Sequence, residues 1–296
     1  MRPAPPESLR RELVRRLAAR AAPLAPLDTG IQPALRRIEG VRVVLFDIYG
    51  TLFVSGAGDI AAGSESARAD ALADAWRAAD LPPLSGAEAA QQADRLAKLV
   101  RRDHEQARAA GADEPEVDIL SLWRELLGDE SDSGRAAVLA VEYEARANPA
   151  WPMPDLAPTL DGLRARGLRM GIVSNAQFYT PLLFEALTGR TPAGWGFEKE
   201  LCAWSWQAGV AKPSTRLMDP LAARIREHAG VAPASVLMLG NDRLNDLRPA
   251  AALGFRTALF AGDRRSYRPR HGDPRCKGVE PDLVLTALPQ LLAALA

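Results

Sequence analysis

Short apolar runs alternate with helical patterns over much of the chain. The runs that predict strands are RVVLF (42–46), RMGIVSN (169–175), VLMLGND (236–242), RTALFAGD (256–263) and DLVLTAL (282–288). Because strands that alternate with helices are joined by crossover connections, this order predicts a doubly wound parallel sheet and an α/β fold. Ligands of such sheets bind beyond the carboxyl ends of the strands. The polar residues that end these runs are therefore candidates for a functional site.

Two other regions show helical periodicity alone. Residues 7–20 place Leu9, Leu13 and Leu17 on one face of an arginine-rich helix. This pattern predicts a surface-docked arm, an oligomer contact or a transit sequence, and the acidic residues of the arm count against transit. Residues 64 to about 147 are rich in alanine, arginine and leucine and predict about four helices with little strand.

These patterns divide the chain into three parts. They are an N-terminal helical arm (1–40), a core made of two segments (41–54 and 149–296) and a helical region between those segments (55–148). The glycine-containing stretch SGAGDI, which includes Asp59, predicts either a hinge at the start of the helical region or a simple loop.

The composition restricts the function classes. Of the 296 residues 47% are apolar and 25% charged, and no run approaches the roughly 20 apolar residues of a membrane span. Thirty-seven basic side chains balance 37 acidic ones, so no global field favours nucleic acid or an acidic membrane. Two distant cysteines, Cys202 and Cys276, and the lack of a secretory signal pattern lead us to expect a soluble cytoplasmic protein.

Asp47 is the first candidate for chemistry. It follows an apolar run and precedes a tight turn through Gly50, so we expect its carboxylate at the carboxyl edge of the sheet. There it could act as a nucleophile, with the Thr51 hydroxyl available to an anion, or it could cap a helix. Ser174 and Asn175 end a second strand and offer neutral donors to a transferring group, although Ser-Asn pairs also begin turns.

Two further segments add charge. Lys212, one of four lysines against 33 arginines, could keep Asp47 ionised and neutralise a transferring group, or it could be a solvated surface lysine. In GNDRLND, Asp242 and Asp246 lie four residues apart and Asn241 adds an amide. Carboxylates gathered at one strand end repel each other and require a cation, and oxygen ligands suit magnesium.

Arginines are concentrated after a later strand, in FAGDRRSYRPRHGDPR (260–275). In a parallel sheet this segment follows a carboxyl strand end, on the side where ligands bind. The pattern fits either an anion contact or a solvated loop.

Taken in order, DIYGT, VSN, KP and GNDRLND resemble the motifs of the haloacid dehalogenase-like hydrolase superfamily, over about residues 41–290. The resemblance implies a Rossmann-like core, with region 55–148 as a helical cap inserted after the first motif. It implies that Asp47 and Lys212 are catalytic and that Ser174 and Asn175 bind a small anionic substrate. It also implies a Mg²⁺ site whose candidate ligands are Asp47, the main-chain carbonyl of Tyr49, Asn241, Asp242 and Asp246.

Two positions depart from the phosphatases of this superfamily. Tyr49 stands where they have a second aspartate that protonates the leaving group. A tyrosine there is similar to the 2-haloacid dehalogenases, in which a halide leaves without a proton and no metal is used. The superfamily also has a pair of acids in its last motif. If Asp246 is the second acid of this pair, the position of the first is taken by Asn241 or Asp242, five and four residues before it. Asn241 in that position would lower the negative charge around a metal.

The resemblance thus implies three functions. The first is a Mg²⁺-dependent phosphatase that acts on a small phosphorylated metabolite through an aspartyl intermediate on Asp47, favoured by the acidic loop. The second is a metal-independent 2-haloacid dehalogenase-like hydrolase, favoured by Tyr49. The third is a catalytically silent module that binds a metabolite or a protein, favoured by the missing acid and the arm.

Overall fold

The structure of the chain, a computed structural model, describes residues 6–57, 65–128 and 133–295, and the hinge candidate Asp59 lies outside these ranges. The strands are β1 (Val43–Phe46), β2 (Phe53–Ser55), β3 (Ala150–Pro152), β4 (Arg169–Ser174), β5 (Phe197–Trp204), β6 (Val236–Gly240), β7 (Arg256–Phe260) and β8 (Leu283–Leu285). The helices are α1 (Glu7–Arg20), α2 (Glu65–Ala78), α3 (Gly86–Ala109), α4 (Ile119–Leu127), α5 (Ser133–Ala147), α6 (Leu156–Ala165), α7 (Thr180–Thr188), α8 (Ser205–Ala208), α9 (Asp219–Ala229), α10 (Arg248–Ala252) and α11 (Pro289–Ala294).

Six of the strands form one parallel sheet in the order β5-β4-β1-β6-β7-β8. In β1, Val44 and Phe46 pack into the apolar cluster on one face of the sheet, and Val43 and Leu45 pack into the cluster on the other face. Because both faces are covered, the strand is a continuous apolar run rather than an alternating one. The predicted α/β class with a doubly wound parallel sheet is confirmed.

Three strands were not predicted from the sequence. β5 lies at the edge of the sheet and carries exposed Lys199 and Glu200, which interrupt its apolar pattern. β2 and β3 have three residues each and pair antiparallel, with Phe53 opposite Pro152. They carry the chain out of the sheet layer into α2–α5 and back, so the two crossings lie side by side.

Helices α2–α5 form the helical block between these crossings, where the periodicity predicted helices. α3 begins with a capping box, in which the Glu88 amide donates to Ser85 Oγ and the Ser85 amide donates to Glu88 Oε2. The loop before α4 contacts the core, because the Ser205 hydroxyl donates to Glu116 Oε2 over 2.6 Å. None of the described helices is long and apolar enough to cross a membrane.

The N-terminal arm docks on its own chain. In α1, Leu13 and Leu17 are buried against the main apolar cluster. Arg16 Nη1 lies 2.9 Å from Glu142 Oε1 on α5, and Arg10 pairs with Glu185 on α7. The arm therefore contacts both the helical block and the core, which agrees with the surface-docked alternative among the predictions for residues 7–20.

Glu142 connects the arm to the helical block and yields a stability prediction. Burial by itself would raise the pKa of Glu142, but hydrogen bonds from Arg146 and Arg16 outweigh it and lower the pKa. A lowered carboxyl pKa stabilises the fold above the pKa of the unfolded chain, and this stabilisation is lost as the pH falls through the folded value. We expect Glu142→Gln to lower the free energy of unfolding by about 2 kcal/mol at pH 7, measured by urea denaturation.

The difference in the free energy of unfolding between wild type and Glu142→Gln should become smaller below about pH 4, where the carboxyl group is protonated in the unfolded chain. Asp74→Asn is the matched control, because it removes an exposed pair with Arg77 and should change stability by less than about 0.5 kcal/mol. Equal losses of unfolding free energy in Glu142→Gln and Asp74→Asn would contradict the stabilising role given to the Glu142 ion pairs.

Candidate functional site

Three adjacent strands bring the predicted site residues to one edge of the sheet. Phe46 of β1 is in register with Ile172 of β4 and Leu239 of β6, so the residues that follow these strands meet. They surround a cleft of about 130 Å³, which we call the sheet-edge cleft. Its lining consists of Asp47, Tyr49, Ser55, Asn148, Asn175, Lys212, Asn241, Asp242, Asn245, Asp246, Ser266, Arg268 and Arg270.

Lys212 lies at the centre of the hydrogen bonds in this cleft. Its Nζ donates to Asp47 Oδ1 over 2.7 Å, to Asp246 Oδ1 over 2.5 Å and to the Val173 carbonyl over 2.8 Å. The Asn175 side chain fixes the lysine main chain, since its Oδ1 accepts from the Lys212 amide and its Nδ2 donates to the Lys212 carbonyl. Residues separated by up to 199 positions are thus joined through one ammonium.

Burial and the neighbouring carboxylates set the charges of this group. Burial lowers the pKa of Lys212, but the attraction of Asp246 and Asp47 outweighs it and the pKa is raised above its usual value. Burial raises the pKa of Asp246 to about 7, and the charges of Asp47 and Asp242 add to the rise while Lys212 opposes it. The lysine therefore remains charged at neutral pH, and the carboxylates around it compete for its charge.

The turn after β1 fixes the orientation of Tyr49. Gly50 has a φ of +82°, and a Cβ at this position would lie 2.3 Å from Cβ of Ser266, so only glycine fits. The Tyr49 hydroxyl lies 3.2 Å from Thr180 Oγ1. Burial, with a smaller contribution from the charge of Glu144, raises the pKa of Tyr49. Tyr49 is therefore a poor proton donor, although it occupies the position of the aspartate that protonates the leaving group in the phosphatases.

Asp242 is bound within the protein. Arg270 contacts both of its carboxylate oxygens, with Nε 3.0 Å from Oδ1 and Nη2 2.5 Å from Oδ2. The amides of Leu244 and Asn245 also donate to Oδ1, and Asn245 Nδ2 donates to Oδ2. Asp242 thus caps the π-helical turn at residues 243–247 and forms an ion pair at the same time.

Three more of the predicted site residues have side chains that are bonded or buried within the protein: Asn241, Thr51 and Ser174. Asn241 Oδ1 accepts from the Thr51 hydroxyl over 3.1 Å, and Nδ2 donates to the Ser266 carbonyl over 2.6 Å. Ser174 is fully buried, and its hydroxyl has no hydrogen-bond partner within the described part of the chain. Thr51 and Ser174, predicted to bind substrate, do not line the sheet-edge cleft, whereas Asn175 does.

The predicted Mg²⁺ ligands do not form a donor set that fits the ion. Mg²⁺ requires about six oxygen ligands at near-octahedral positions, usually including carboxylates. Asp242 is held by Arg270, Asp246 by Lys212, and the neutral amide of Asn241 is shared between Thr51 and Ser266. In residues 6–57, 65–128 and 133–295, no group of three or more acidic, histidine or cysteine side chains is arranged to hold a metal.

Glu144, near the end of α5, lies on the other side of Tyr49. It borders a small second cleft with Tyr49 and Asn148, and residues of α1 close that cleft. Its Oε1 accepts from Asn148 Nδ2 over 3.2 Å and its Oε2 accepts from the Tyr179 hydroxyl over 3.0 Å. Burial raises the pKa of Glu144 more than these two hydrogen bonds lower it.

Several residues of the cleft lie outside the four motifs DIYGT, VSN, KP and GNDRLND. Ser55 and Asn148 belong to the two chain crossings, and the Ser55 hydroxyl donates to Asn148 Oδ1 over 2.7 Å. Arg268 and Arg270 come from the arginine-rich segment after β7, whose pattern fits either an anion contact or a solvated loop. Arginine clustering after a strand was the only sequence signal for them.

A charged cleft beyond the carboxyl edge of a doubly wound sheet is where α/β proteins bind their ligands. The chain belongs to the haloacid dehalogenase-like hydrolase family, whose model matches residues 41–254. The family predicted from the four motifs is therefore confirmed. No curated protein matches the chain.

Solved structures with a similar fold include enzymes of different activities. An L-2-haloacid dehalogenase from Xanthobacter autotrophicus is 22% identical, with 86% of this chain and 97% of that chain covered and a TM-score of 0.48. A phosphatase of the same superfamily from Thermococcus onnurineus is 19% identical, with coverages of 85% and 96% and a TM-score of 0.48. A predicted phosphoglycolate phosphatase from Haemophilus somnus is 15% identical, with coverages of 86% and 97% and a TM-score of 0.47.

The environment of Glu144 predicts how stability depends on pH. Because its pKa is raised in the folded chain, the protonated form is favoured by folding, and this contribution is present below the unfolded pKa and is lost as the pH rises through the folded value. We therefore expect Glu144→Gln, which mimics the protonated form, to become more stable relative to wild type as the pH rises from 4 to 8. Urea denaturation across this range measures the difference.

Glu142→Gln is the matched control, since Glu142 lies on the same helix with a lowered pKa and should show the opposite trend with pH. If the difference in unfolding free energy between wild type and Glu144→Gln does not change with pH, the pKa of Glu144 is not raised by folding.

Proposed function

We propose that this protein is a hydrolase that forms a covalent ester on Asp47 and then hydrolyses it. The observation that carries the proposal is the Lys212 ammonium, which binds Asp47 and Asp246 at once inside the sheet-edge cleft. An ammonium has three N–H groups, and all three have acceptors here, the third being the Val173 carbonyl. Lys212 therefore orients Asp47 and places a positive charge beside the oxygen atoms of this candidate carboxylate nucleophile.

The reaction has two steps. First, an oxygen of Asp47 attacks the electrophilic atom of the substrate, and the bond to the leaving group breaks with its electron pair. This step converts the carboxylate into an ester and releases the leaving group as an anion. Second, water hydrolyses the ester, which restores the Asp47 carboxylate and releases the hydroxylated product with one proton. Nucleophilic catalysis of this kind replaces one difficult displacement by two easier steps.

The surroundings of Tyr49 support a leaving group that departs without a proton. Its hydroxyl is held by Thr180 and its raised pKa makes it a poor general acid. The acidic donor set expected for Mg²⁺ is occupied by Lys212 and Arg270. Together these observations favour metal-independent displacement of a halide from a small 2-halo acid, whose carboxylate suits the cationic side chains of the cleft.

Phosphate-ester hydrolysis with Mg²⁺ is the second candidate. The observation in its favour is that three carboxylates, those of Asp47, Asp242 and Asp246, line one cleft. It requires the ion pair between Asp242 and Arg270 to open, because the carboxylate is otherwise occupied. An anionic small molecule is the expected partner in both candidates.

The nucleophile is tested by Asp47→Asn. The amide is isosteric but is neither an anion nor a nucleophile at neutral pH, so we expect turnover to fall at least about 10³-fold while the fold is kept. Halide release from 2-halo acids and phosphate release from a panel of esters measure turnover, and circular dichroism checks the fold. Asp273→Asn is the control, because Asp273 pairs with Arg275 and does not line the sheet-edge cleft. Full activity in Asp47→Asn would remove the proposal.

The two substrate classes are separated by isotope labelling in H₂¹⁸O. An alkyl ester of Asp47 is hydrolysed at its acyl carbon, so repeated turnover of a 2-halo acid should place ¹⁸O in Asp47, detected by mass spectrometry of the peptide. Attack of water on a phosphorylated Asp47 occurs at phosphorus and labels the released phosphate instead. We expect the first result, unchanged by a chelator. Phosphate release that requires added Mg²⁺ would support the second candidate, and the lack of turnover with either class would support the binding-module alternative.

A further inference from the structure

The carboxylate of Asp242 has no remaining capacity for a metal ion. A carboxylate offers about four lone-pair sites. Asp242 accepts from five donors: the Leu244 amide, the Asn245 amide and side chain, and Nε and Nη2 of Arg270. The two arginine contacts form a bidentate pair, the strongest arrangement available to a carboxylate and an arginine. A cation that replaced Arg270 would have to break this pair first.

The fold places Arg270 for this contact. Backbone hydrogen bonds align its loop with the end of β6, because the Arg268 amide donates to the Asn241 carbonyl and the Arg243 amide donates to the Arg268 carbonyl. Arg270 itself has a φ of +52°, in the left-handed region that costs a residue other than glycine roughly 1–2 kcal/mol. The ion pair with Asp242 offsets that cost and holds the loop against the cleft.

The lining of the cleft is balanced in charge without a metal. When Asp47, Asp242 and Asp246 are all ionised they provide three negative charges, and Lys212, Arg268 and Arg270 provide three positive ones. A divalent ion would add two positive charges to this set and would lie beside the Arg270 guanidinium. Like charges about 4 Å apart repel by several kcal/mol near a protein surface.

We propose that Arg270 takes the place of a divalent cation in this site. Its guanidinium occupies the remaining acceptor positions of the Asp242 carboxylate, provides the positive charge that balances the acidic loop, and thereby excludes Mg²⁺. The inference rests on the proposed function only in assigning the site to an anionic substrate. The exclusion of the metal is a property of the side chains of the cleft and is measured without substrate.

The test is direct cation binding, with Mg²⁺ followed by isothermal titration calorimetry and Mn²⁺ by electron paramagnetic resonance, on the full chain. For wild type we expect no binding below about 10 mM. Arg270→Ala and Arg270→Gln should each bind at least about tenfold more tightly, because the repulsion is removed and Asp242 is released. The double variant Arg270→Ala with Asp242→Asn should lose the gain. Arg275→Ala, which removes an exposed arginine paired with Asp273, should behave as wild type.

Three results would overturn the inference. One is sub-millimolar Mg²⁺ binding by wild type, and another is a folded Arg270 variant, by circular dichroism, that binds no more tightly than wild type. The third is a gain of binding that persists without the Asp242 carboxylate. Arg270→Gln keeps most of the side-chain volume, so it provides the comparison if Arg270→Ala does not fold. Loss of turnover in Asp47→Asn has no bearing on these binding measurements, so the two proposals fail separately.

Discussion

The buried ammonium of Lys212 is the interaction on which the rest of the site depends. A charge this deep in the protein is stable only with acceptors for all of its N–H groups, and the structure provides two carboxylates and a carbonyl. These acceptors lie at or after the ends of three adjacent strands. The sheet therefore positions the acceptors, and the charge of the lysine holds them together. Because Asn175 fixes the lysine main chain, the ammonium also fixes where the carboxylate of Asp47 points.

The positions that depart from the phosphatase pattern form a consistent set. Tyr49 stands where the phosphatases of the superfamily have a carboxylic acid, Asn241 brings an amide rather than a carboxylate to the acidic loop, and Arg270 forms an ion pair with Asp242 in that loop. Each change by itself would leave an imbalance in a partly enclosed cleft, where uncompensated charge is costly. Together they give a lining in which the charged side chains are paired with one another.

Much of the fold followed from the sequence, because buried parallel strands are continuous apolar runs and the helical block has a clear period. β5 was missed because its edge position lets charged residues interrupt the pattern, and β2 and β3 because three residues carry no period. Motif order also identified the residues that meet around Lys212. It could not show that the Thr51 hydroxyl donates to Asn241, or that Arg270 reaches Asp242, since each contact joins separate segments of the chain.

The docking of α1 has a mechanical consequence. The arm binds the helical block through Arg16 and the core through Arg10, so it bridges the same two parts that β2 and β3 connect. A body attached at one edge can swing, whereas one attached at two separated edges cannot do so unless an attachment is released. Wide separation of the block from the sheet therefore requires α1 to detach from one of the two.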